Sequence, residues 1–284
     1  MLSRSWRGPS PLSAHDPREL GGYALDTVIV ARAAGGNAKI FHGVAADGTE
    51  ASVTLLLGEE WAERAPQLEL ARRADPPAAA RIIDAQWEGA ERYITREYLD
   101  GPDLRAHLVD RGVLAGRDLY RLAVRLCSAL HGLHRHGLHY GLLWPDDIIM
   151  TTQGPALSGV GVPEPPLAVH AYSMRGMDKT LCHAPELLRG AFPSSKSDVY
   201  AWGYAVAFSA RGGHPFGENA AMPALLEVHL TEPGLAHVPP GLRRLVGAAM
   251  AKDPATRPTA GQILDGLAAL AGEDRGGFPP DLLF

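Results

Sequence analysis

The stretch that decides the fold reads His136-Gly137-Leu138-His139-Tyr140-Gly141-Leu142-Leu143-Trp144-Pro145-Asp146-Asp147-Ile148-Ile149-Met150. Residues 117–136, which lead into it, carry apolar side chains at helical spacing, and a short apolar run follows Asp147. The stretch therefore predicts a helix, a polar loop and a strand, in that order. The adjacent carboxylates Asp146 and Asp147 are predicted to end the loop before the strand begins.

The chain before this stretch is predicted to form a small, sheet-rich unit. Apolar runs within residues 23–57 predict three strands, and residues 81–87 and 92–98 predict two more. A helix is predicted over residues 59–74, where Pro66 removes an amide donor and disturbs it. Helices dominate the rest of the chain and are predicted over residues 117–136, 198–210, 242–250 and 260–270.

Composition excludes several classes of partner. The net charge of −5 provides no basic field to attract nucleic acid or an anionic membrane. No apolar run reaches the roughly 18 residues that a membrane span needs, so no direct membrane insertion is expected. Cys127 and Cys182 are the only cysteines and have apolar sequence neighbours, which predicts buried thiols in a reducing cytoplasm. Residues 1–17 and 272–284 are predicted to be a disordered arm and a loop-like tail.

Four further motifs accompany the opening stretch in a fixed order. They are Glu97-Tyr98-Leu99-Asp100-Gly101-Pro102-Asp103-Leu104, Ala184-Pro185-Glu186, Lys196-Ser197-Asp198-Val199-Tyr200-Ala201-Trp202-Gly203 and Lys252-Asp253-Pro254-Ala255-Thr256-Arg257-Pro258-Thr259. Together the five motifs resemble those of bacterial eukaryotic-type Ser/Thr protein kinases, over roughly residues 18–271. The resemblance implies an α+β fold with two lobes: a β-rich N-lobe with one helix over residues 18–99 and a larger helical C-lobe over residues 100–271.

The resemblance also shows where the residues that carry kinase chemistry would lie. The catalytic base falls on Leu142, the strand lysine on Thr54, and the two metal-binding positions on Asp147 and Gly159. Leucine has no proton acceptor, threonine cannot neutralise phosphate charge, and one carboxylate without a second is a poor magnesium site. No catalytic residue and no metal site are therefore expected.

The resemblance implies only a vestigial nucleotide slot. Arg96 would lie at its back, where the guanidinium either folds onto an acid and plugs the slot or escapes to solvent. Lys39 is predicted to point to solvent, and the helix glutamate falls on Gln67, or on Glu69 if the register slips. The residues of the slot are Ala33, Gly35, Gly36, Ile40, Arg96, Glu97 and Leu99.

Residues that would hold the scaffold are retained. The resemblance implies a buried salt bridge between Glu186 and Arg257, and it implies that the Asp198 carboxylate accepts amide hydrogens from the catalytic loop. The histidines between His131 and His139 are expected to be structural, because local spacing alone is weak support for a zinc site.

These features lead to two alternatives for function. The first is a catalytically inactive kinase-like protein, a pseudokinase, that is not an enzyme and acts as a scaffold or allosteric regulator. Its partner would be a protein, such as an active kinase or a membrane-associated assembly, that docks on the segment between Gly159 and Glu186 and on the adjacent helical lobe. The second is a weak or atypical Ser/Thr protein kinase, or a module that senses nucleotide without efficient turnover. No cofactor is expected under the first, and ATP with magnesium only under the second.

Overall fold

The computed structural model describes residues 9–33, 38–57, 65–89, 91–159, 182–217 and 231–272 of the chain. Strands and one helix make up the first part. The strands are β1 (Ser10–Pro11), β2 (Glu19–Leu20), β3 (Tyr23–Ala33), β4 (Ala38–Ala45), β5 (Glu50–Leu56), β6 (Ile82–Gln86) and β7 (Tyr93–Glu97). They form one antiparallel sheet in the order β1-β3-β4-β5-β7-β6, with β2 also paired to β3.

The five predicted strands correspond to β3 to β7, while β1 and β2 were not predicted. Ser10 lies opposite Val28 and Pro11 opposite Thr27, so part of the predicted disordered arm is paired with the sheet. A strand of two residues is too short to show the alternation of apolar and polar side chains from which strands are predicted.

Helix α1 (Ala65–Ala74) packs against this sheet through its buried Leu68 and Ala71. Pro66 is the second of the described residues of α1. The prediction that it disturbs the helix depends on residues before Ala65 and stays a prediction. The earlier predicted part of this helix, up to residue 64, lies outside the described residues.

The second part of the chain is helical. Its helices are α2 (Leu104–Arg111), α3 (Gly116–His134), α4 (Pro185–Leu188), α5 (Ser195–Arg211), α6 (Pro240–Ala249) and α7 (Ala260–Gly272), and its hairpin is β8 (Ile148–Thr151) with β9 (Gly154–Leu157). Helix α5 is buried along nearly its whole length, as its apolar sequence predicts. Inside the core the Trp202 indole donates to the Ala123 carbonyl at 2.9 Å. Helices α2 and α4 were not predicted.

The fold is α+β with a sheet-rich part and a helical part, as predicted. The hairpin joins the two parts: the Ala80 amide donates to Leu157 O at 2.7 Å, and the Leu157 amide donates to Ala78 O at 2.9 Å. Tyr140, in the loop from His139 to Asp147, lies near enough to Arg96 of β7 to affect its pKa. We call the space between this loop and strands β5 and β7 the cleft. None of the described helices is both long and apolar enough to cross a bilayer.

Candidate active site

The upper wall of the cleft carries a buried arginine that contacts a buried threonine. Thr54 lies on β5 and Arg96 lies on the adjacent strand β7, where it pairs with Ser52. The Arg96 Nη1 donates to Thr54 Oγ1 at 2.9 Å, and both residues are 2% exposed or less. A cation from β7 therefore reaches the side chain at the lysine position of β5.

Arg96 remains charged in this environment. Burial lowers its pKa to about 10, and the nearby Tyr140 phenol opposes that shift. The alternative in which Arg96 escapes to solvent is wrong, because its side chain stays inside the protein, where it donates to the Thr54 hydroxyl at 2.9 Å.

Lys39 does not supply a second cation to the cleft. Its amine forms a salt bridge with Asp16, and it lies 5.4 Å from the centre of the Phe41 ring. Ala38 and Ile40, its neighbours on β4, point to the other side, and Ile40 pairs with Thr54 across the sheet. Lys39 thus holds the N-terminal segment against the sheet and is only partly in solvent.

The lower wall is a loop held by one buried carboxylate. Asp198 is fully buried, and it accepts the Tyr140 amide at 2.7 Å and the Gly141 amide at 2.9 Å. The ring nitrogen Nε2 of His134 donates to the same carboxylate at 2.9 Å. Gly141 has a φ of +104°, a conformation that other residues rarely adopt. The loop is therefore fixed mainly through its backbone.

The two loop carboxylates have structural partners. Asp147 Oδ2 accepts the Trp144 amide at 2.9 Å and closes the 3-10 turn Pro145–Asp147 that precedes β8. Asp146 Oδ1 accepts from Arg105 Nε at 3.0 Å, and Arg105 is 4% exposed. Both acids end the loop where the sequence places them.

Gly159, at the second metal-binding position, lies against a tyrosine. A Cβ atom added to Gly159 would lie 2.7 Å from the Tyr140 hydroxyl, closer than such atoms approach in folded proteins. The hydroxyl therefore occupies the space that a side chain at position 159 would need. Tyr140 stands at the histidine position of the catalytic motif, and nothing in the spacing of the sequence predicts this contact.

The effect of a substitution at Gly159 on stability should therefore depend on the residue at position 140. Gly159→Ala is expected to reduce the free energy of unfolding by about 1–3 kcal/mol, the usual cost of overpacking. In a Tyr140→Phe background, which lacks only the oxygen, the same change should cost at least about 0.5 kcal/mol less. Urea denaturation of the four proteins measures this coupling, and equal costs in both backgrounds would contradict the contact.

The segment before α4 adds an aromatic pair that the sequence did not reveal. The Trp144 indole donates to His183 Nε2 at 3.1 Å, which joins the loop to the residues that precede Pro185. Cys182, beside His183, is a buried thiol that is hydrogen-bonded to Tyr204. Residues 160–181, most of the predicted partner-docking segment, lie outside the described residues, so docking there stays a prediction.

Several other predicted residues are placed around the cleft. Ala33 ends β3, Leu99 is half-buried just past β7, and Glu97 is exposed at the end of β7. Gly35 and Gly36 lie outside the described residues. Glu69 accepts from Arg73 Nε at 3.2 Å on the exposed face of α1.

The predicted scaffold pair lies below the cleft. Arg257 Nη1 and Nη2 donate to the two Glu186 carboxylate oxygens at 2.6 Å and 2.7 Å. Arg257 also donates to the carbonyls of Ala251 and Lys196, and its side chain is fully buried. This pair ties α4 to the segment before α7.

The described residues of the cleft do not suit a magnesium ion. Gly159 has no side chain, and the Asp147 carboxylate is engaged with a loop amide. Across the described part of the chain, no three histidine, cysteine, aspartate or glutamate side chains converge as metal ligands would.

Comparisons with known proteins agree with this architecture. A family model described as "Protein kinase domain" matches residues 60–266. The chain is 30% identical over 261 residues to the "Probable serine/threonine-protein kinase PkwA" of Thermomonospora curvata, covering 89% of this chain and 35% of that protein. It is 27% identical over 248 residues to the "Serine/threonine-protein kinase PkaA" of Streptomyces coelicolor, covering 79% of this chain and 45% of that protein.

A solved structure shares the fold. The crystal structure of Rad53 1-466 in complex with AMP-PNP superposes with a TM-score of 0.70 at 19% identity, covering 86% of this chain and 64% of that one. The chain spans between about a third and a half of the length of the two curated relatives named above.

Proposed function

This chain belongs to the protein kinase family, and we propose that it is an atypical Ser/Thr protein kinase domain. It binds a nucleoside triphosphate against Arg96 and transfers a phosphoryl group weakly. The observation that carries the proposal is the Arg96–Thr54 contact of 2.9 Å, which puts a buried cation at the position of the missing lysine.

The prediction that the chain is not an enzyme is wrong. The family model that matches most of the chain is a protein kinase domain, and the curated relatives are named serine/threonine-protein kinases. The prediction judged each motif position by its own residue. It therefore counted Thr54 as a lost charge, although a neighbouring strand supplies one.

Arg96 has the properties that a phosphate-binding residue needs. Its pKa of about 10 keeps it protonated at neutral pH. An arginine also presents two parallel N–H groups that match two oxygens of one phosphate, whereas a lysine acts as a single point of charge. In the cleft, Thr54 holds one end of the guanidinium at 2.9 Å and thereby orients it. Ile40 pairs with Thr54 across the sheet, and we expect Ile40 and Leu99 to contact the base of the nucleotide.

The residues that are present also indicate how fast transfer would be. Kinase catalysis consists mainly of positioning and charge stabilisation, so losing the base at Leu142 costs about 10²–10⁴ in rate and leaves some transfer. Since Gly159 and Asp147 do not form a pair of metal ligands, we assign no step to magnesium. Nucleotide binding is instead expected to depend mainly on Arg96.

The test separates binding from transfer. ATP is expected to bind wild-type protein at millimolar concentration, and chelating magnesium with EDTA should weaken the affinity less than about tenfold. Arg96→Lys should keep measurable ATP binding, since it keeps the positive charge. Arg73→Met, which removes an exposed cation, serves as a control. Isothermal titration calorimetry measures affinity, and transfer of labelled γ-phosphate to a hydroxyl-bearing protein substrate measures activity.

The outcomes differ in what they overturn. Absence of ATP binding at millimolar concentration with an intact fold would overturn the whole proposal. A second outcome is ATP binding that Arg96→Met abolishes, with no phosphoryl transfer by the wild-type protein. That outcome would overturn the transferase part of the proposal and support the nucleotide-sensing alternative.

A further inference from the structure

A second cavity, of about 290 Å³, lies in the helical part of the molecule, outside the nucleotide cleft. It forms where the last turn of α3 meets the first turns of α5 and α7. Every side chain in its lining that carries a polar group is a cation, an imidazole or a hydroxyl, and none is a carboxylate. These residues are His131, His134, Arg135, Ser195, Lys196 and Thr259.

Two carboxylates that hydrogen bonds link to this lining, Asp198 and Glu186, are already engaged with other donors. Asp198, which accepts from His134 at 2.9 Å, is fully buried and also accepts two loop amides. Glu186 forms a two-pronged salt bridge with Arg257. Lys196, which lines the cavity, donates its amine to the Arg257 carbonyl, a neutral acceptor. The cavity is therefore a region of positive charge in a chain whose net charge is −5.

Two helix starts add to this field. Helix α5 has 17 residues and begins at Ser195, and helix α7 has 13 residues and begins at Ala260. Both first turns border the cavity, and the N-terminal end of a helix dipole is positive. The two helix N-termini therefore add to the positive potential that the cationic side chains create in the cavity.

We propose that this cavity binds a phosphate group. Arg135 and Lys196 supply the charge, while the His131 imidazole and the hydroxyls of Ser195 and Thr259 supply directed hydrogen bonds to the oxygens. Gly261 keeps the cavity open, because a Cβ atom there would lie 3.1 Å from the His131 ring. The phosphate comes either from a phosphorylated serine or threonine of a peptide or from a free phosphate ion, and the chemistry at the protein is the same.

Two variants test the site by different means. Lys196→Met removes charge, whereas Gly261→Val fills the cavity and leaves the charge in place. Each is expected to weaken binding of inorganic phosphate by about tenfold or more, the loss typical of one charge-assisted hydrogen bond. Arg111→Met, which removes an exposed cation on α2, is the matched control and should bind like the wild type.

The measurement is a titration followed by two-dimensional NMR of the amides. Inorganic phosphate should shift the amide signals of Ser195 and Gly261 in wild-type protein, and also in Arg96→Met, which separates this cavity from the nucleotide cleft. A serine-phosphorylated peptide that binds at least about tenfold more tightly than phosphate identifies a peptide as the source, and equal affinity identifies the free ion. Unchanged Ser195 and Gly261 signals, or equal affinity in wild type, Lys196→Met and Gly261→Val, would overturn the proposal.

Discussion

Arg96→Met is expected to raise the free energy of unfolding by about 3 kcal/mol and at the same time to abolish nucleotide binding. Burial lowers the pKa of Arg96 to about 10, well below its usual range. Each pKa unit corresponds to about 1.4 kcal/mol, so keeping the side chain charged costs the folded state about 3 kcal/mol relative to a neutral side chain. Methionine has a similar length and no charge to desolvate. The protein would thus be more stable without the residue that we assign to phosphate binding.

The pH dependence of the difference in stability between wild type and Arg96→Met follows from the direction in which burial shifts the Arg96 pKa. A folded-state pKa below the unfolded one means that the penalty is present in full while Arg96 is protonated in both states. The penalty is relieved only as pH rises above about 10. Between pH 6 and pH 8 the two proteins should therefore differ by a constant amount.

Thermal and urea unfolding measure the change in stability, and calorimetric titration with ATP measures the change in binding. Thr54→Val is the matched comparison, because it removes the hydroxyl partner and leaves the charge. It should reduce the free energy of unfolding by about 1–3 kcal/mol, the cost of depriving a buried donor of its acceptor. A drop in stability in Arg96→Met would show that the guanidinium is a net contributor to the fold.

Arg257→Ala is expected to reduce the free energy of unfolding by about 3–5 kcal/mol. The change would leave Glu186, whose side chain is 13% exposed, as a charge without its two donors at 2.6 Å and 2.7 Å. It would also leave the Ala251 and Lys196 carbonyls without their arginine donor. This cost is a large part of the total free energy of unfolding of a typical protein, so loss of soluble protein is expected at moderate temperature.

Two comparisons sharpen that measurement. Arg73→Ala breaks an exposed pair with Glu69 and should change stability by no more than about 0.5 kcal/mol. Combining Arg257→Met with Glu186→Leu removes both charges, so it should cost less than Arg257→Ala alone. A cost below about 0.5 kcal/mol for Arg257→Ala would contradict the buried geometry.

Much of the fold could be predicted because its signals are local. Apolar alternation predicts β3 to β7, and helical periodicity predicts α3, α5, α6 and α7 to within a few residues at most ends. Helix α2 was not predicted because Leu104 and Leu108 are its only large buried apolar side chains, while the buried Arg105 looks like a surface residue in the sequence. Its Asp103 cap, which accepts the Ala106 amide at 2.7 Å, was the available signal.

The candidate site was harder to predict because its contacts join distant residues. Motif spacing identifies Thr54 and Arg96 as neighbours of one slot, but it does not give the direction in which a long side chain turns. That direction depends on the buried hydroxyl 42 positions away in sequence. The Tyr140–Gly159 contact likewise depends on how the loop and β9 meet in space. Judging positions singly led to the wrong prediction about enzyme activity.

The anchoring of the lower loop by Asp198 bears on how such a site can change over evolutionary time. The carboxylate holds the loop through the amides of Tyr140 and Gly141, and every residue except proline has an amide. The side chain at position 140 can therefore be exchanged while the loop keeps its path, whereas the φ of +104° at position 141 favours glycine. The same anchor lets a lineage explore different chemistry on an unchanged frame, and a tyrosine at position 140 is compatible with it.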